Sequence, residues 1–155
     1  MTTLSYGTSN QPITITLASL ADTALRESTA ESNATNKYLD VLVGGKVTVA
    51  ATGPATGKYI NVYAYGTVDG GTLYSGNASG TDAAYTGNKK SLVLIGTIVT
   101  ETVSASEEFG PWSIAAAFSG VMPEKWGIVV ENQSGGALDA TGTNHDINYH
   151  GVTTA

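Results

Sequence analysis

"KYINVYAYGTV", residues 58–68, decides the fold. Its period is two: Ile60, Val62 and Ala64 fall on one face of an extended strand, and Tyr59, Asn61, Tyr63 and Tyr65 on the other. Branched and aromatic side chains of this kind suit a pleated, half-buried surface. The aliphatic face is the better core candidate. The tyrosine face is then semi-exposed, packs on a second layer, or meets a partner. The strand runs into "VDGGT" (residues 68–72), where paired glycines supply the positive φ of a tight turn.

The same period recurs on both sides. "PITITL" (12–17) alternates Ile13, Ile15 and Leu17 with threonines, and "KYLDVLVGGKVTVAA" (37–51) sets Leu39, Val41, Val43, Val47 and Val49 on one face. "SLVLIGTIVTETV" (91–103) is apolar on both faces, as expected of a central strand. "PWSIAAAFSGV" (111–121), "KWGIVVEN" (125–132) and "HDINYHGVT" (145–153) complete the set, with Gly, Asn, Asp and Pro at the boundaries. "LASLADTALRESTAES" (17–32) has some helical spacing, but its serines and threonines compete for backbone hydrogen bonds and favour a loop plus a polar edge strand. "GNASGTDAAYTGNKK" (76–90) is expected to be an exposed loop. Many short strands at this spacing predict an all-β protein, an antiparallel two-sheet β-sandwich, jelly-roll-like.

Composition narrows the function. The chain has 155 residues and no cysteine, which excludes disulfides, thiolate metal sites and cysteine nucleophiles. Charged residues are 13%, against about 25% in an ordinary globular protein, and the net charge is −6. The seven basic residues are scattered except for Lys89 and Lys90, so no basic patch marks a nucleic-acid or membrane surface. No run approaches a membrane span, and the first twenty residues lack the basic flank and apolar stretch of a signal peptide.

Catalytic and metal patterns are thin. His145 and His150 share one strand at odd separation, so they face opposite ways and cannot bind one ion together. Glu107 and Glu108 are adjacent and read as polar edge residues. No nucleophile elbow, P-loop or calcium loop is present. The expectation is no enzyme activity, no cofactor and no metal. Trp112 and Trp126 are expected to cap the sandwich core, with a place in an interface as the alternative.

Three segments carry a resemblance: "YGTVDGGT" (65–72), "GPWSIAAAFSGVMPEKWGIVVEN" (110–132) and "ALDATGTNHDINYHGV" (137–152). Over residues 17–152 the chain resembles head decoration, or cement, proteins of tailed bacteriophages. The resemblance implies a virion structural protein, made in the host cytoplasm, that binds the major capsid protein on the outer capsid surface, often as a homotrimer. A tail-associated protein or a carbohydrate-binding module of the virion, taking a host-surface glycan, is the alternative. Residues 13–155 are read as one sandwich domain and residues 1–12 as an N-terminal arm that orders on a neighbour, unless it forms an edge strand of its own domain. The candidate interface residues are Leu4, Tyr6, Tyr59, Tyr63 and Tyr65.

Overall fold

The computed structural model describes residues 3–52, 58–101 and 103–155; Met1 and Thr2 of the expected arm, and Thr102, lie outside them. In chain order the elements are β1 (Leu4–Tyr6), β2 (Gln11–Pro12), β3 (Leu25–Glu27), β4 (Glu31–Ser32), β5 (Asp40–Thr48), β6 (Lys58–Thr67), β7 (Ala83–Ala84), β8 (Val93–Thr100), β9 (Ser106–Ser113), α1 (Ile114–Ala117), β10 (Lys125–Gln133) and β11 (Asp146–Thr154). They form two antiparallel sheets. The first runs β1-β11-β5-β9, with β2 also on β11; the second runs β7-β3-β10-β6-β8, with β4 also on β10. The all-β, two-sheet sandwich implied by the strand periods is the fold. Among the described residues there are nine ladders, and each joins one of β1–β6 to one of β7–β11.

The core lies between the sheets. Val41, Val43 and Val47 of β5 and Ile147 of β11 face Ile60, Val62 and Ala64 of β6 and Trp126, Ile128 and Val130 of β10. The face of β6 chosen from its period is therefore the core face. At the other end of β6, the Asp69 carboxylate accepts from the Thr67 hydroxyl and from the N–H groups of Gly71, Thr72 and Leu73, while Gly70 and Gly71 take φ of 76° and 103°. The 17–32 stretch holds β3 and β4 and no helix, as its serines and threonines implied.

Several elements differ from expectation. Ile13–Leu17 keeps its alternating burial but joins no ladder: Ile13 donates to Ile147 O in one sheet, and Thr14 O accepts from Thr29 N beside the other, so the segment crosses between sheets. β10, buried along nearly its whole length, is a central strand, whereas β8 is an edge with Val93, Leu94 and Val99 exposed. The apolar pattern of β8 reports neither its neighbours nor its cover. The 111–121 stretch is not all strand. Ser113 caps α1 by accepting from Ala116 N, the alanines are the best helix formers, and Gly120 at φ 87° closes the turn onto Ala115 O. Trp126 is buried, but Trp112 is only partly so, lying over Gly96 at the β8 edge.

Residues 74–92 are not a simple exposed loop. They fold over the outer face of the second sheet, where Ala78, Tyr85 and Leu92 make a second small core with Tyr65 and Val129. Of the two readings of residues 1–12, the described part takes the edge strand. Leu4, Ser5 and Tyr6 pair with Thr154, Thr153 and Val152, so the segment is an edge strand of its own domain. The backbone groups on one side of it find their partners in β11.

Candidate interaction surface

The five residues singled out in the sequence do not gather into one site. Tyr59, Tyr63 and Tyr65 do share the outer face of β6, but they serve three purposes. Tyr65 is wholly buried: its hydroxyl donates to Ser28 O at 2.6 Å, its ring stands edge-on to Tyr74 at 5.4 Å, and it lies across Gly127, its cross-strand neighbour on β10. A side chain at position 127 would collide with that ring. Burial pushes the Tyr65 phenol well up, despite the bond to Ser28. Tyr63 is tied to Glu131, and Tyr59 alone remains exposed, at 41%. The three rings thus do not present one continuous exposed face.

Glu131, on β10, is the buried charge of this face. Its carboxylate accepts from Lys89 Nζ at 2.6 Å, Tyr63 Oη at 2.9 Å, Asn61 Nδ2 at 3.1 Å and Gln133 Nε2 at 3.1 Å. Burial alone would raise its pKa; the Lys89, Asn61, Tyr63 and Gln133 donors outweigh burial, and the carboxyl sits below its ordinary value. The bond to Glu131 raises Lys89 in turn. Tyr63 is raised by burial first and then by Glu131. Through Lys89 this carboxylate fastens the 74–92 layer to the sheet.

Leu4 and Tyr6 stand on the edge strand β1, 73% and 64% exposed, with the Tyr6 ring 5.0 Å from that of His150. They lie on the first sheet, away from Tyr59 on the second. The histidines are each engaged with backbone, His145 Nε2 with Asp139 O and His150 Nε2 with Gly7 O, both at 2.9 Å. Among the described residues no group of three or more His, Cys, Asp or Glu is placed to hold a metal.

Two further apolar surfaces were not singled out in the sequence. One is the β8 edge, where Leu94 and Val99 lie on the same outer face as Tyr59, Val99 directly opposite it. The other is the end of the sandwich. Val68 is fully exposed and Leu73 74% exposed, on the turn that Asp69 locks, beside a cleft of about 380 Å³ whose walls include Tyr74, Phe118 and Pro123. Val121 is exposed close in sequence to those walls. The bond from the Thr67 hydroxyl, followed by those from the Leu73, Thr72 and Gly71 amides, holds the Asp69 carboxyl down at about 2, so it is ionised at neutral pH. The glycine pair announced the turn; that it would carry two bare aliphatic side chains could be read from "VDGGTL" only by noticing that both hydrophobics sit where the chain reverses.

Compared with protein-family models, with curated proteins and with solved structures, the chain matches none of them.

Proposed function

We propose that the protein is a non-enzymatic virion structural protein that docks on the outer surface of a phage capsid and stabilises it. The observation that carries this reading is the apolar tip at Val68 and Leu73. Exposed aliphatic side chains are ordinary when scattered, but here two of them project from a turn fixed by four hydrogen bonds to one carboxylate, next to an apolar cleft. A docking element already rigid loses little conformational entropy on binding. The low charge of the chain adds to this, because hydroxyls and amides are cheaper to dehydrate than charges. The capsid as partner is taken from the resemblance of residues 17–152 to head decoration proteins.

The test is co-sedimentation with purified capsids that lack the protein, and imaging of the labelled protein on virions. Binding to capsids, and label on the head, is expected. The Val68→Asp, Leu73→Asp double variant should lose capsid binding and keep its melting temperature, since both side chains are exposed in the free protein. Label confined to the tail, or no binding to capsids, would sink the proposal.

A further inference from the structure

We propose that the outer face of the first sheet holds a binding groove for a neutral oligosaccharide. The outer face of the second sheet is covered by the 74–92 layer. On the first sheet, two cavities of about 450 and 330 Å³ meet at Gly45 instead. Both fall in the size range of small-ligand sites. Their shared floor is bare backbone. At the register shift Gly44 has no partner on β9, and Gly110 and Pro111 have none on β5. A Cβ on Gly44 would stand 2.9 Å from Phe109 O, and one on Gly110 2.5 Å from Val43 O, so a side chain at either position would collide. The glycines that let the two strands approach thus leave a trough across β11, β5 and β9.

The walls decide the ligand. On one side Lys46 stands in register with Glu108 of β9 and Asp146 of β11. Opposite charges side by side on neighbouring strands ordinarily pair. Among the described residues, however, the Lys46 ammonium forms no ion pair, and neither carboxylate does. One ammonium and two carboxylates therefore border the first cavity with hydrogen-bonding capacity unused. On the other side Asn10, Asn148 and His150 line the second cavity. Asn148 Nδ2 donates to Asp146 and His150 Nε2 to Gly7 O, which leaves the Asn148 oxygen and, in the neutral ring, His150 Nδ1 as acceptors. A ligand that fits needs donors and acceptors at short intervals and no net charge. Hydroxyls supply both at once. Polyanions are repelled by the two carboxylates and by the net charge of −6. An aliphatic ligand would strip water from these charges and give them no partner. An extended peptide adds to a strand edge, and this is a sheet face. At the end of the groove the Tyr6 ring, 64% exposed and 5.0 Å from that of His150, offers an apolar face for a sugar ring to stack on. From β9 to β1 the sheet is three strand spacings wide, roughly 14 Å, which suits a short oligosaccharide better than a single sugar.

The experiment is an array of neutral and acidic oligosaccharides probed with the full chain, followed by calorimetric titration of the strongest neutral binder. Binding confined to neutral glycans is expected. Glu108→Ala with Asp146→Ala should weaken it about tenfold, with an unchanged melting temperature because both side chains are exposed. Tyr59→Ala, on the second sheet, should bind like the wild type. In NMR titration with the neutral glycan, the amide signals of Gly44, Gly45 and Gly110 should shift. An array with no binding, or with acidic glycans alone, would overturn the inference. So would a carboxylate variant that binds as well as the wild type or better, or amide shifts confined to the second sheet. The groove does not rest on the capsid reading: capsid binding is a separate readout, and its absence would leave the groove untouched.

Discussion

At the scale of single residues, Glu131 concentrates the strongest prediction. It is a carboxylate with 2% of its surface exposed and four donors, so Glu131→Ala strands Asn61, Tyr63 and Gln133 around a void. Buried polar groups left without a partner cost about 1–3 kcal/mol, and a loss of that size is expected in urea unfolding. Lys89→Ala should cost less, about 1 kcal/mol or below, because the lysine is 45% exposed and its charge is screened. The two variants should also differ in acid. The folded carboxyl lies below its ordinary value of 4.5. Its contribution is thus complete above that value and is lost as pH falls through the folded pKa. The stability gap between wild type and Glu131→Ala should narrow below pH 4.5, and a gap independent of pH would mean that packing alone explains it. None of this was visible in the sequence. Lys89 and Glu131 are far apart in the chain, and a lone glutamate in "IVVENQ" looks like a solvent-facing strand residue.

Among the elements, the legible ones were those whose period reports a single covered face. β5, β6 and β11 alternate cleanly, and the core side chains of β6 were identifiable from spacing alone. Where two faces are apolar, periodicity is silent about neighbours: β10 is central and β8 is an edge, yet both read as continuous apolar runs. The 74–92 layer escaped notice because Ala78, Tyr85 and Leu92 are too widely spaced to form a pattern, and its cover of Tyr65 depends on tertiary contact. The N-terminal strand was likewise ambiguous, since three residues cannot establish a period. Its pairing with β11 has a measurable outcome. Removal of residues 1–9 should lower the melting temperature of the free protein by a few degrees, given about 2–4 °C per kcal/mol in a chain of this size. An unchanged melting temperature would show that β1 contributes nothing to its own domain.

For the molecule as a whole, the pairing scheme divides the chain in two. Since every ladder among the described residues joins a strand from β1–β6 to one from β7–β11, neither half shows a ladder of its own there. The two halves behave as the two sides of a zip. Cutting at Gly70, where the turn is exposed and an added side chain would meet nothing, should give fragments 1–70 and 71–155 that are each unstructured by circular dichroism. Mixed together they should recover the strand signal of the intact chain, and a fragment that folds alone would contradict the ladder scheme. During synthesis the first half has nothing to pair with until the second emerges, so the chain must stay open for most of its translation, with its valine-rich strands waiting for partners. Split at that turn, the protein becomes a conditional pair: two silent pieces that acquire structure only when brought to the same place.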